Sequence, residues 1–167
     1  MPFSPCWRGT RSVVIPEDSG DGFVVLADGT RRWGRFGAAG ILLRHRDVTD
    51  TIRYFVARRS RDIHNGGTWG VPGGARHSTE TPFTAAIREF REEIGYTVAE
   101  FEVADVFEDD CGGWSYWTWL VDVAERNEGR EVLNWETDEV RWVTATELAE
   151  LDLFEAFRVT LHRFGVL

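Results

Sequence analysis

The spacing of apolar residues along the chain predicts short strands separated by a few helices. Apolar runs of strand length lie between turn-forming residues at 23–26, 41–43, 52–57, 99–107, 114–123 and 139–143. Apolar residues recur every three or four positions at 82–95 and at about 153–164, which predicts two helices. Large apolar residues occupy both faces of the strand at 114–123, so we expect other layers to cover it on both sides. The order of elements predicts an α/β fold of the α+β kind, with a mixed sheet between helical layers.

The first 37 residues differ in pattern from the rest of the chain. Residues 1–22 are rich in Pro, Ser, Gly and charge and are predicted to form an arm. The turn signal at 27–30 separates a strand at 23–26 from a partner at 31–36, which predicts a β-hairpin. We therefore expect an arm with a hairpin at 1–37 and the main domain at 38–167.

The helix predicted at 82–95 has clear signals at both ends and two distinct faces. Thr81 suits the N-cap, Pro82 suits the first helical position and Gly95 suits the C-terminal stop. At 100° per residue, one narrow stripe contains the apolar residues Phe83, Ile87, Phe90 and Ile94. The opposite side carries three glutamates, Glu89, Glu92 and Glu93, and Arg88 lies one turn before Glu92, where an ion pair can form.

Three carboxylates on one helix face repel each other unless a positive group compensates them. Hard divalent cations such as Mg²⁺, Ca²⁺ or Mn²⁺ match carboxylate oxygens, and carbonyls of the Gly73-Gly74 loop could complete the coordination. Because Mg²⁺ usually binds carboxylates, waters and substrate phosphates together, such a site implies a phosphorylated substrate. Taken alone, a glutamate-rich helix face is more often a solvated helix surface.

Charge and composition exclude several classes of function. All 19 basic residues are arginines, which excludes Schiff-base lysine chemistry and the lysine-dependent phosphate loops and kinases. The formal net charge of −9 disfavours long nucleic acid and anionic membranes, but it leaves room for a small nucleotide. No apolar stretch approaches the ~20 residues that a membrane span needs. The two cysteines, Cys6 and Cys111, favour reduced thiols in a cytoplasmic protein.

A longer pattern extends from the glycine loop to the end of the helix. It consists of Gly74, five residues, Glu80, seven residues and then the segment REFREEIGY from Arg88 to Tyr96. This resembles the Nudix hydrolase box at all seven fixed positions, a match expected by chance on the order of 10⁻⁸ per start position. The preceding segment WGVPGG, at 69–74, resembles the family's lead-in. The resemblance implies a Nudix-type α/β/α sandwich, and it covers residues 40–150 well in the order of their elements.

The resemblance also implies hydrolysis of a pyrophosphate linkage in a nucleoside diphosphate joined to another group, with Mg²⁺ or Mn²⁺ as cofactor. By position it implies four metal-binding residues: Gly73 through its carbonyl, Glu89, Glu92 and Glu93. Glu80 and Arg88 match residues that support the loop and orient the carboxylates.

A further glutamate late in the chain often serves this family as ligand or base. Glu136 fits best, with Glu108, Asp109 and Asp110 as rivals, although a solvated loop glutamate remains an equal alternative for Glu136. We expect Glu93 or Glu136 to orient and deprotonate the attacking water. Substrate contacts are predicted for Arg58 and Arg76, which could grip phosphate, and for Trp33, which could stack on a base. Ordinary surface charge and core packing are the alternatives for these three residues.

The sequence says less about which substrate of the family this chain would cleave. No proline follows Pro82, and no SQPWPFP stretch occurs, so the ADP-ribose and NADH markers are absent. Tyr116 lies somewhat late for the tyrosine of the dinucleoside polyphosphate group. A MutT-like nucleoside triphosphate pyrophosphatase is therefore the default. The alternatives are an ADP-ribose or dinucleoside polyphosphate hydrolase and a non-catalytic nucleotide-sensing module. The hairpin could cover the site or form a homodimer interface.

Overall fold

The computed structural model describes residues 17–63, 65–128 and 131–167. Residues 1–16, which include most of the predicted arm and Cys6, lie outside the described residues. The elements are β1 (Phe23–Val25), β2 (Arg31–Trp33), β3 (Ala38–Arg46), β4 (Ile52–Arg59), β5 (Trp69–Gly70), β6 (Gly73–Ala75), α1 (Pro82–Ile94), β7 (Phe101–Asp110), β8 (Ser115–Val123), β9 (Thr137–Val143), α2 (Ala145–Ala149) and α3 (Glu155–Arg163).

A mixed sheet of seven strands forms the centre of the fold. Its main path runs β5-β4-β3-β8-β7, with β6 on β3 and β9 on β4. The β3–β8 pair is parallel, from Ala38 opposite Tyr116 to Arg44 opposite Asp122, and the other pairs are antiparallel. The predicted mixed sheet is confirmed. The predicted N-terminal hairpin is confirmed as a separate two-stranded sheet of β1 and β2.

The two faces of the sheet bury separate apolar clusters, each under a helical layer. On one face, Phe90 and Ile94 of α1 pack with Ile41, Phe55 and Val121. The other face buries residues from both C-terminal helices with their strand partners, namely Leu42, Val56, Leu120, Leu148, Phe157 and Leu161. The α/β/α arrangement therefore follows from apolar residues on alternate positions of the same strands.

Helix α1 forms as its sequence predicts. The Thr81 hydroxyl accepts a hydrogen bond from the Thr84 amide, and Gly95 ends the helix with a φ of 68°. Phe90 and Ile94 are buried, and the Phe83 ring packs edge-on against Trp119 at 4.8 Å between centroids. The apolar stripe thus fixes the rotation of the helix about its axis, and with it the side from which the glutamates project.

The glycine-rich segment at 60–81 is more ordered than the loop that its composition predicts. Gly73 to Ala75 form β6, with Gly73 opposite Gly40 of β3. A Cβ on Gly73 would lie 2.4 Å from the Ala39 carbonyl oxygen and 2.5 Å from the Gly40 Cα. The strand therefore depends on two facing glycines that let the backbones approach closely. The spacing of apolar residues in the sequence does not predict such a pairing.

Other boundaries differ modestly from expectation. Strand β7 continues to Asp110, because its pairing with β8 extends to Ser115. The capping box of Thr144 and Glu147 is present at α2. In the described part of the chain, Cys111 is a free thiol. Among the residues that the structure describes, no helix combines the length and the apolar character that a membrane crossing requires.

Candidate active site

Arg88 is the centre of a hydrogen-bonded network on the outer side of α1. Its Nε and Nη2 donate to the two carboxylate oxygens of Glu80 at 2.7 and 2.9 Å, and Nη2 also donates to the Ala75 carbonyl at 2.9 Å. Its Nη1 donates to Glu89 at 2.7 Å and to Glu92 at 3.1 Å. The predicted Arg88–Glu92 ion pair is present, and Arg88 joins the glycine loop to the carboxylate face.

Glu93 is buried at the junction of α1, β6 and β9, with 7% of its surface exposed. Its Oε1 accepts a hydrogen bond from the Gly73 amide at 2.8 Å, and its Oε2 accepts one from the Thr137 hydroxyl at 3.1 Å. Strand β6, which precedes α1, and strand β9, far along the chain, therefore hold this carboxylate in one orientation.

Glu89 lies directly over the glycine loop. A Cβ added at Gly74 would stand 2.5 Å from Oε2 of Glu89, so the missing side chain is what makes room for this carboxylate. The Glu89 side chain is 14% exposed, whereas Glu92, one turn away and also bound to Arg88, is 57% exposed. Exposure to solvent therefore increases across this helix face, from the buried Glu93 through Glu89 to the exposed Glu92.

The pKa of Glu80, which supports Arg88, shifts in the opposite direction to the pKa values of Glu89 and Glu93. The hydrogen bonds from Arg88 lower the pKa of Glu80 to about 2. Burial raises the pKa of Glu89 to about 7 and that of Glu93 to about 8, and neighbouring carboxylates add to both shifts. Glu80 therefore stays ionised beside Arg88, whereas burial and the neighbouring carboxylates disfavour the ionised forms of Glu89 and Glu93.

Glu136, just before β9, belongs to the same group of charges. Its negative charge contributes to the raised pKa of both Glu89 and Glu93. Burial raises its own pKa, and the charge of Arg59 opposes that shift. Its rivals lie at the far end of β7, where Glu108 accepts a hydrogen bond from Ser115. The structure therefore brings Glu136 to the cluster, and it keeps its predicted role as a proposal.

The donor set fits a hard divalent cation. Glu89, Glu92, Glu93 and Glu136 offer only oxygen, and Glu89 and Glu92 each commit a single oxygen to Arg88. Within the described parts of the chain, no three acidic, His or Cys side chains are already gathered as a complete ligand cluster. Burial is the main cause of the raised pKa values of Glu89 and Glu93, and the part that comes from neighbouring carboxylates is charge that a bound cation would neutralise.

The three predicted substrate contacts lie in different surroundings. Arg58 pairs with Glu139 at 3.1 Å and stacks over Trp69. Arg76 donates through Nε and Nη2 to the Phe36 carbonyl and through Nη1 to the Glu80 carbonyl, so it braces the loop. Trp33 lies in the hairpin against Phe23, with ring centroids 5.0 Å apart. Their roles toward a substrate stay predictions.

Two contacts near the carboxylates are not predicted by the sequence. The hydroxyl of Thr137 binds Glu93, and the charge of Arg59 acts on Glu136. Both contacts depend on the β4–β9 pairing, in which Arg59 lies opposite Thr137. The available signal was Glu136-Thr137 at the start of a strand, but the sequence does not say which strand it joins.

Comparison with known proteins identifies the family. Residues 34–164 match the model of the NUDIX domain. A protein of Mycobacterium tuberculosis (strain H37Rv), "Putative 8-oxo-dGTP diphosphatase 3", is 41% identical over 150 residues, which span 86% of this chain and 68% of that protein. The 8-oxo-dGTP diphosphatase of Escherichia coli (strain K12) is 36% identical over 77 residues, which span 45% of this chain and 57% of that protein.

Solved structures show the same architecture. The crystal structure of RenU, a Nudix hydrolase from M. smegmatis, has a TM-score of 0.79 and 37% sequence identity, covering 87% of this chain and 93% of that one. An Ap4A hydrolase of C. elegans, at 19% identity and a TM-score of 0.63, covers 77% of this chain and 95% of that one and shares the fold alone.

Proposed function

The chain belongs to the Nudix hydrolase family and acts on pyrophosphate bonds; we propose that it does so as a Mg²⁺- or Mn²⁺-dependent nucleoside triphosphate pyrophosphatase. The first candidate substrate is an oxidised purine triphosphate, 8-oxo-dGTP, because relatives that align over most of this chain carry that activity in their names. The products would be a nucleoside monophosphate and pyrophosphate.

The observation that carries the proposal is the orientation of Glu93 among other carboxylates. Gly73 and Thr137 fix both of its oxygens, and the charges of Glu89 and Glu136 surround it. A solvated helix face would not bury a carboxylate at this cost in desolvation. Such a group is arranged to hold a cation and a diphosphate rather than to face water.

The residues divide the work of in-line hydrolysis. Glu89, Glu92 and Glu93, with the Gly73 carbonyl, would hold the cation, which supplies charge neutralisation for the diphosphate oxygens. Arg88 orients Glu89 and Glu92, and Glu80 keeps Arg88 in place. The oxygen of a water forms the new bond to phosphorus and the bridging P–O bond breaks. The proton of that water passes to Glu93 or Glu136.

A substrate panel tests the proposal. The protein is incubated with 8-oxo-dGTP, dGTP and other nucleoside triphosphates, ADP-ribose, NADH and diadenosine polyphosphates, each with and without Mg²⁺. Anion-exchange chromatography then quantifies the products. We expect metal-dependent release of a monophosphate and pyrophosphate, with the highest kcat/KM for 8-oxo-dGTP. Preferential cleavage of ADP-ribose or a diadenosine polyphosphate, or binding of the panel without turnover, would overturn it.

A further inference from the structure

A short segment before the hairpin crosses the loop that follows β6. We call residues 18–22 the N-terminal strap; it precedes the family domain at 34–164. Although it comes from the first described part of the chain, Ser19 and Gly20 are buried, with Ser19 only 8% exposed. A segment that merely trailed from the domain would expose these small residues.

The strap binds the loop through its backbone and one side chain. The Ser78 amide donates to the Asp18 carbonyl at 3.1 Å, and the Ser78 hydroxyl donates to the Asp18 carboxylate at 3.0 Å. A Cβ on Gly20 would stand 2.2 Å from the Arg76 carbonyl oxygen, so only glycine permits this approach. The strap thus rests on residues 76–78.

The opposite side of the strap is tied to the chain that leads into β3. The Arg35 amide donates to the Gly20 carbonyl at 2.7 Å, and the Gly34 amide donates to the Gly22 carbonyl at 2.8 Å. The loop that carries Arg76 is therefore held between β3 on one side and the strap on the other, with the Arg76 amide bonded to the Gly37 carbonyl at 3.0 Å.

The clamped loop supports the carboxylate network directly. Arg76 donates to the Glu80 carbonyl, and the His77 amide donates to the Glu80 carboxylate at 2.9 Å. Glu80 in turn binds Arg88, which binds Glu89 and Glu92. Contacts therefore run without a gap from the strap through the loop to the carboxylates.

The strap also passes beside the far edge of the site. The Asp21 amide donates to the Ser19 hydroxyl at 3.1 Å, which orders the backbone there. Burial is the main cause of the raised pKa of Glu136, and the negative charge of Asp21 raises it further. The strap thus contacts the supporting loop, and its charge acts on the carboxylate expected to take part in catalysis.

We propose that the N-terminal strap is a positioning element of the hydrolase, in which Gly20 and Asp18 clamp residues 76–78 so that Glu80 and Arg88 hold Glu89 and Glu92 ready for the cation. This inference rests on the proposed function. It adds residues before the NUDIX domain to the machinery of the reaction.

The direct test is Gly20→Ala, whose new methyl group must lift the strap from the Arg76 carbonyl. We expect the concentration of Mg²⁺ at half-maximal activity to rise about threefold to tenfold, which is less than the about tenfold to hundredfold loss typical of residues that bind a metal ligand directly, because the strap acts through Glu80 and Arg88. KM for the nucleotide at saturating Mg²⁺ should change less than twofold. Binding of Mn²⁺ without nucleotide, followed by electron paramagnetic resonance, should weaken by the same factor.

Asp18→Ala and Asp18→Asn provide a second test in case Gly20→Ala unfolds. Loss of the acceptor in Asp18→Ala should weaken Mn²⁺ binding, whereas Asp18→Asn keeps an oxygen for the Ser78 hydroxyl and should restore it. Gly29→Asn is the control, because Gly29 lies at the hairpin turn with a φ of 83° and open space around it.

The strap inference and the proposed function fail in different ways. If wild-type protein binds Mn²⁺ but cleaves no triphosphate, the proposed function is wrong and the binding data still test the strap. If Gly20→Ala and Asp18→Ala fold and keep wild-type Mn²⁺ affinity and Mg²⁺ dependence, the strap does not position the site.

Discussion

At the scale of single residues, the site depends on where side chains are missing as much as on where they are present. Gly74 leaves the space that the Glu89 carboxylate occupies, and Gly73 lets β6 approach β3 closely enough to present its amide to Glu93. The two neighbouring glycines therefore serve different purposes. Substituting them should separate the geometry of the site from the stability of the fold.

Gly74→Ala should reduce activity while leaving the fold intact. Its Cβ would meet only the flexible end of Glu89, so the carboxylate moves and the backbone stays. We expect kcat/KM to fall by about tenfold to a hundredfold, measured by product release, with little change in the denaturation midpoint. Gly70→Ala is the matched control, since nothing lies within 4 Å of its added Cβ. Full activity in Gly74→Ala would show that the position of Glu89 is unimportant.

Gly73→Ala should instead destabilise the protein. Its Cβ would meet backbone atoms of Ala39 and Gly40, which cannot move without opening the β3–β6 pair. Urea denaturation should show a loss on the order of 1–3 kcal/mol. A stability equal to that of Gly74→Ala would contradict this distinction between the two glycines.

Glu80 should give the protein a measurable dependence of stability on acid pH. Because its pKa falls from an ordinary 4.5 to about 2 in the folded state, its contribution is fully present above 4.5 and is lost as the pH falls toward 2. Glu80→Gln should therefore lower the free energy of unfolding near neutral pH, on the order of 2 kcal/mol, and flatten its decline between those values. Urea denaturation across that range, with the exposed Glu100→Gln as control, measures this. Parallel curves for wild type and Glu80→Gln would refute the pairing as a source of stability.

The contacts that the sequence predicts and those that it does not predict differ in the number of residues that separate the two partners. Glu89 and Glu92 could be grouped because they share one helix face, and Arg88 because it lies one turn before Glu92. Thr137 could not be assigned to Glu93, because that contact spans 44 residues and depends on strand pairing. The phosphate contact of Arg76 stays a prediction, and the sequence does not show the backbone carbonyls to which its guanidinium donates.

At the scale of elements, α1 was readable from the sequence because each of its signals is local. The N-cap, the proline at its start, the apolar stripe and the final glycine all act within the helix or one residue beyond it. Strand β6 was not readable, because its formation depends on Gly40, more than 30 residues earlier. The position of the carboxylates on helix α1 therefore follows from local signals in the sequence. Strand β6 completes the site by pairing with a strand that lies more than 30 residues earlier in the chain.

The N-cap of α1 should matter for stability rather than for chemistry. Thr81→Ala removes the acceptor of the Thr84 amide hydrogen bond and should cost about 1 kcal/mol in urea denaturation. Thr81→Ser keeps the hydroxyl and should recover most of that loss. The activity per folded molecule should stay within about twofold of wild type. A large loss of kcat in Thr81→Ala without loss of stability would mean that the helix start takes part in the reaction.

At the scale of the whole molecule, the protein is acidic and its proposed substrate is also an anion, so the two repel each other. The net charge is −9, and the converging carboxylates add to the local repulsion. A bound divalent cation would remove this repulsion, because its positive charge attracts both the carboxylates and the diphosphate.

The order of elements and the α/β/α layers could be predicted from periodicity, whereas the parallel β3–β8 pair and the placement of the strap on the loop could not.

The most direct measurement is the turnover of Glu93→Gln with 8-oxo-dGTP at saturating Mg²⁺, beside wild type and Glu100→Gln. The substitution keeps the size of the side chain and removes one negative charge from a buried position, so the fold should be at least as stable. We predict that kcat falls on the order of 10²- to 10⁴-fold while Glu100→Gln matches wild type. A Glu93→Gln protein that keeps near-wild-type turnover would contradict the account.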